Sequence, residues 1–170
     1  MMQHIGKHIA KGLLVLATVF VSANIALAGH PAAFNAGMKA YRAGDYKTAQ
    51  RHLSKSAAGG HTESQYRLGK IYEKGFLGQP DHAKMSRWYQ KAADNGHAKA
   101  QYKMGSGYAQ GVGGLPKDPK KAEAYLLKSA NAGYSRAMKT LGKAYKKGKF
   151  GFPRDKKKAR YWTKKYEKTK

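Results

Sequence analysis

The 170-residue sequence has no cysteine, only nine acidic residues against 34 lysines and arginines, and just two tryptophans. Without cysteine there is neither a disulfide framework nor a thiolate metal site, so the fold has to be held by apolar packing. The seven histidines contain no HExxH arrangement, no phosphate-binding glycine loop is present, and no nucleophile, base and orienting group stand together. Enzymatic chemistry, a metal and a cofactor are therefore not expected. Past residue 28 there is no apolar stretch approaching the ~20 residues that span a bilayer.

What is present begins with residues 1–28. They carry Lys7 and Lys11 and no acid, then the apolar run from Gly12 to Val21, and close on Ala26-Leu27-Ala28. A basic start, a short apolar core and small residues at the end describe a secretory signal peptide cleaved after Ala28. An uncleaved membrane anchor or an organelle presequence is the alternative, but the run is short and broken by Thr18, Ser22 and Asn24. The expectation is an exported chain, periplasmic or secreted, beginning at Gly29 and keeping no transmembrane segment.

Downstream, aspartate recurs at Asp45, Asp81, Asp118 and Asp155, in steps of 36, 37 and 37 residues. The same neighbours return with it: Tyr72 and Gly75, Tyr108 and Gly111, Tyr145 and Gly148. A period of this length signals stacked helical hairpins, each too small to bury its apolar face alone. Ala100, Met104 and Tyr108, at i, i+4 and i+8, form one stripe of a first helix. Beside that stripe glycine recurs at Gly69, Gly105 and Gly142, where it costs about 1 kcal/mol relative to alanine, so a close helix-to-helix approach is the expected reason. A Gly- and Pro-containing connector follows, with Leu77, Leu115 or Phe152 placed to plug the layer below. The aspartate then caps the second helix: its carboxylate accepts from free backbone N–H groups at the positive end of the helix dipole. Four carboxylates one repeat apart lie on separate layers, which argues against paired catalytic acids.

Trp88, Tyr125 and Trp162 are equivalent positions followed by small residues such as Ala92 and Ser129, a pattern for interlocked packing rather than a sugar- or base-binding column. His61 and His97 follow Gly60 and Gly96 in successive repeats, marking a turn position rather than a ligand pair. Helices are expected at about 33–43, 45–58, 62–75, 81–94, 98–110, 118–131, 135–147 and 155–168, with no strand.

The segments Leu68-Gly69-x-x-Tyr72-x-x-Gly75, Met104-Gly105-x-x-Tyr108-x-x-Gly111 and Leu141-Gly142-x-x-Tyr145-x-x-Gly148 resemble Sel-1-like repeats, relatives of the tetratricopeptide repeat. Lys121-Ala122, Lys158-Ala159 and the run from Lys91 to Gly96 extend the likeness. It implies an all-α superhelical solenoid of about four hairpins after the signal peptide. The units would be an amino-terminal tetratricopeptide-like cap at 29–61, repeats at 62–97 and 98–134, and a final repeat at 135–170 with a basic cap. Exported members of the family are associated with envelope assembly, virulence, host interaction and inhibition of envelope enzymes. The resemblance therefore implies a non-enzymatic interaction scaffold or adaptor, and its motif residues are structural, so no site transfers with them.

The formal charge is +25, and Lys143 to Lys170 holds 13 cations against Asp155 and Glu167. Such a field attracts polyanions. Along the first helices the equivalent columns run Arg67, Lys103, Thr140, then Lys70, Ser106, Lys143, then Lys74, Gln110, Lys147, with no acid among them. These residues are expected to make a basic strip on the inner curve of the solenoid, unless the lysines merely solvate the surface. Arg67, Lys70, Lys74, Lys103, Lys143 and Lys147 are the candidate contacts for an acidic protein partner, with exposed Tyr66 and Tyr102 as anchors. An electrostatic ligand of lipopolysaccharide, cell-wall polymer or membrane surface is the alternative, export disfavours nucleic acid, and a monomer is expected.

Overall fold

The computed structural model describes residues 31–170, and within them the chain forms eight α-helices and no strand. Helix α1 covers 31–42 of the described residues. It is followed by α2 (Tyr46–Ala58), α3 (Thr62–Lys74), α4 (His82–Asp94), α5 (Ala98–Gln110), α6 (Pro119–Asn131), α7 (Ser135–Lys147) and α8 (Lys156–Glu167). Consecutive helices pack as antiparallel hairpins, and each second helix packs on the first helix of the next hairpin. This is the expected solenoid of four hairpins, with element ends within two residues of those read from the periodicity. The expected signal peptide lies outside the described residues.

The recurrent aspartates are the N-caps of the second helices. Asp45, Asp81, Asp118 and Asp155 accept from the backbone N–H groups of Thr48, Lys84, Lys121 and Lys158 at 2.8–3.0 Å. His61 and His97 do the same for α3 and α5: each Nδ1 accepts a backbone N–H, from Ser64 and Ala100, at 3.2 Å. Their shared position after a turn is thus explained by capping.

The glycines beside the stripe mark where the two helices of a hairpin touch. A β-carbon on Gly69 would come within 2.4 Å of the Tyr89 ring, one on Gly105 within 2.8 Å of Leu126, and one on Gly142 within 2.8 Å of the Thr163 hydroxyl. Gly37 repeats the arrangement against Leu53 in the first hairpin, at 2.8 Å. The first helices then end at Gly75, Gly111 and Gly148 in the left-handed conformation.

Three expectations need correction in detail. Tyr108 is only half-buried, stacked on Tyr125 at 5.9 Å, while Ala100 and Met104 of its stripe are buried. Leu115 and Phe152 do plug the layers beneath them, but Leu77 is exposed, and its neighbour Phe76 stacks instead on Tyr46 at 3.9 Å. Trp162 is buried as expected, whereas Trp88 and Tyr125 are half-covered. A register change also leaves one polar atom alone. Gln65 donates to the Ala57 carbonyl and accepts from Asn95, while the equivalent Gln101 donates to Ala93, and with alanine, Ala132, at the cap position that Asn95 holds one repeat earlier, its buried Oε1 has no partner among the described residues.

Candidate functional site

Residues 67, 70 and 74 fall on successive turns of α3, so their side chains share one helical face, and 143 and 147 share the equivalent face of α7. The structure divides this expected strip into two chemically different parts. In α3 and α5 two of the cations, Arg67 and Lys103, are bonded to acids that flank the columns. Arg67 Nε donates to Glu63 Oε1 at 2.6 Å, and His97, whose Nδ1 is occupied as a cap, donates through Nε2 to Glu63 Oε2 at 2.8 Å. Burial pushes the Glu63 carboxyl up, but the bonds and charges of His97 and Arg67 outweigh it and hold the pKa at about 2.

Glu73 is held in the same manner. Lys103 Nζ donates to it at 2.6 Å from the next repeat, and the Tyr89 hydroxyl donates at 2.7 Å. Burial opposes ionisation of Glu73, yet these donors keep its carboxyl below the usual range, while burial, together with the bond to Glu73 and its charge, pushes the Tyr89 hydroxyl up. Lys70, half-buried, is pushed down by its burial and by the neighbouring Arg67, Lys103 and Lys74. Arg67 and Lys103 therefore tie one repeat to itself or to the next, and they are not free contacts.

The aromatic anchors also change role. Tyr66 is buried rather than exposed: its ring stacks on His97 at 4.3 Å. Tyr102 is half-buried, edge-on to Tyr134 at 5.2 Å, and Phe34 meets His61 at 4.4 Å. In each layer a ring on the first helix covers the N-cap residue of the next first helix, a contact between residues about one repeat apart.

Lys74, Lys143 and Lys147 remain exposed, with no ion-pair partner among the described residues. Lys143 and Lys147 join Lys146, Lys149, Thr140 and Phe150 around a recess of about 380 Å³ that contains no acid. Nearer the centre a second recess of about 350 Å³ has Met85, Tyr89, Met104 and Leu115 as walls, with the Glu73–Lys103 pair at its edge. Sequence spacing shows the Glu63–Arg67 pair, four residues apart on one helix. It does not show the Glu73–Lys103 bond, made across 30 residues. Among the described residues no group of acids and histidines is placed to hold a metal, and no helix is long and apolar enough to cross a membrane.

The four hairpins coincide with four matches to the Sel1 repeat, at residues 23–61, 62–97, 98–134 and 135–165. The chain belongs to the Sel1 repeat family. Proteins of this family are scaffolds that mediate protein–protein interaction. Among solved structures, a Sel1 repeat protein from Oxalobacter formigenes is similar at 30% identity with a TM-score of 0.70, over 81% of this chain and 56% of that one. A protective antigen of uropathogenic Escherichia coli, described as having this fold, is similar at 24% identity and TM-score 0.57, over 86% of this chain and 40% of that one. The chain thus spans about half the length of the structures it matches. Among curated proteins none matches it.

Proposed function

We propose that this Sel1 array is a non-catalytic adaptor of the cell envelope or the secreted space, binding an acidic protein through the exposed lysines of its first helices. The observation that carries this is the division of charge. Eight of the nine acids are committed to bonds within the fold: four as N-caps, Glu63 and Glu73 as described, Asp94 to Gln90, and Glu123 to the Tyr145 hydroxyl. With 34 lysines and arginines against nine acids, the exposed lysines project a net positive field. The basic leader with its Ala-Leu-Ala end supports export, and host interaction or inhibition of an envelope enzyme are roles consistent with an exported adaptor.

The test is a crosslinking pull-down from envelope and culture supernatant with the native chain and with Lys74→Glu, Lys143→Glu, Lys147→Glu combined. Capture of an acidic protein is expected to fall about tenfold or more with the triple variant, while the circular dichroism spectrum is unchanged. Undiminished capture by the variant overturns the assignment of this face. A second class of ligand, anionic envelope polymer or lipid, is favoured by the acid-free recess at Lys143 and Lys147. It is distinguished by salt: polyanion binding fades steeply towards about 500 mM salt, whereas a protein interface with an apolar centre persists.

A further inference from the structure

The last hairpin presents a groove that corresponds, one repeat on, to the seat of α7, and no described helix lies in it. One repeat earlier that groove is filled. There Ala109, Ala122, Leu126 and Ala130 of α5 and α6 form a buried cluster with Ala137, Leu141 and Ala144 of α7. Thirty-seven residues on, the equivalent positions are Lys146, Ala159, Thr163 and Glu167. The correspondence is geometric as well as sequential, because Gly105 touches Leu126 as Gly142 touches Thr163. These four residues, with Lys156, Arg160 and Lys164, line an open groove of about 800 Å³ between α7 and α8.

The groove has kept its small floor residue, Ala159, but its walls have become wholly cationic along one side. Pro119, Glu123 and Leu127 in the preceding repeat become Lys156, Arg160 and Lys164, and Lys146 replaces Ala109. Among the described residues none of these four cations has an ion pair, and Glu167 is the one acid that lines the groove. A purely protective end would carry mixed charge, which solubilises as well without building a field of one sign.

We propose that this groove receives an acidic amphipathic helix of a partner protein, which takes the place of a next first helix. The equivalent seat of α7 specifies a helix of about three turns with apolar residues at i, i+4 and i+7, as Ala137, Leu141 and Ala144 are in α7, and charge specifies aspartate or glutamate on its flanks. A second copy of this chain fits the shape poorly in charge, since α1 would bring Lys39 and Arg42 to the cationic walls. The proposal shares the acidic partner with the preceding section but places it at a different surface, so the two can fail separately.

The probe is a fluorescent peptide of the 13 residues Ser135–Lys147 carrying Arg136→Glu, Lys139→Glu, Lys143→Glu, Lys146→Glu and Lys147→Glu, which retains the α7 packing face and reverses its charge. Binding to the full chain is followed by anisotropy at about 50 mM salt, a condition of weak screening. The charge-reversed peptide is expected to bind, the unaltered α7 peptide to bind about tenfold or more weaker, and Arg160→Glu with Lys164→Glu in the chain to remove binding. Arg160 and Lys164 are exposed, and Arg160→Gln with Lys164→Gln, expected to weaken binding partially, guards against a folding artefact. The proposal is overturned by no binding of the charge-reversed peptide, by equal binding of both peptides, by a dimer in sedimentation that the groove substitutions dissociate, or by attachment to anionic vesicles lost in the groove variants while the peptide does not bind. If the peptide binds but only Lys74→Glu, Lys143→Glu and Lys147→Glu removes it, the groove is excluded and the first-helix face stands.

Discussion

At two positions of α3 the second repeat carries Glu63 and Glu73; at the equivalent positions α5 carries Lys99 and Ala109, and α7 carries Arg136 and Lys146. The backbone frame is the same in each case, so the difference is one of use. In the second repeat the acids draw in Arg67, His97, Lys103 and Tyr89, and Lys103 comes from the third repeat. In the fourth repeat no acid on α7 answers Lys143, Lys146 or Lys147, and the one acid of α8, Glu167, lies at its far end. Charge thus knits the central layers together and stands free at the carboxy-terminal end. One part of the basic surface is spent on cohesion, and the other is left exposed for the contact proposed above.

The largest effect that can sharpen this contrast is in the aromatic column. Tyr145 is buried and donates its hydroxyl to Glu123 of the preceding repeat, whereas the equivalent Tyr108 is half-covered by Tyr125. Replacing Tyr145 with alanine is expected to lower stability by about 3–5 kcal/mol, as for other large buried rings, and Tyr108→Ala by about half as much. Urea midpoints of the two variants check the order. If Tyr108→Ala is the more damaging, the carboxy-terminal repeat is less tightly built than its burial indicates.

A smaller effect separates two equivalent glycines. At Gly105 a β-carbon meets Leu126 at 2.8 Å and the Leu126 backbone nitrogen at 3.0 Å, inside a sealed layer. At Gly142 it meets the Thr163 hydroxyl, on a side chain that is exposed and can turn away. Gly105→Ala should cost about 2 kcal/mol through overpacking, even after the gain in helix propensity. Gly142→Ala should fall near zero, because the gain of about 1 kcal/mol offsets a milder clash. Thermal unfolding of both variants tests this, and equal losses would show that the end layer is as rigid as the centre.

The legibility of the molecule follows the same boundary. Asp81, Gly105 and Gly111 could be assigned from sequence because their roles are local and the period repeats the evidence three or four times. Tyr66 could not, since it is covered by His97, the cap of the following first helix, and spacing within one helix gave no sign of that lid. The strip of six basic residues was misjudged at Arg67 and Lys103 for the same reason: the columns contain no acid, but adjacent columns do. The terminal groove became visible only when each lining residue was matched to a buried counterpart one repeat earlier. Local capping is written in single helices, whereas the state of a surface charge depends on neighbours that stacking supplies.

The smallest predicted effect concerns that stacking charge. Glu63 has a pKa of about 2 in the folded chain against an ordinary value of 4.5, because Arg67 and His97 favour its ionised form over the opposing influence of burial. A carboxyl held lower in the folded than in the unfolded state binds fewer protons there, so it stabilises fully above about pH 4.5 and loses that contribution as pH falls towards 2. The side chain is one-third exposed, so screening reduces the gain to about 1 kcal/mol. Glu63→Gln should therefore be less stable than the native chain by about this amount at pH 6, and the gap should narrow steadily as the pH falls from about 4.5 to 2. The comparison is made on Glu63 alone, since Glu73 and the capping aspartates titrate in both proteins and cancel in the difference. A gap that stays constant through this window would mean that Glu63 contributes packing and not charge, and the central repeat would then be held without the ion pairs that distinguish it from the carboxy-terminal one.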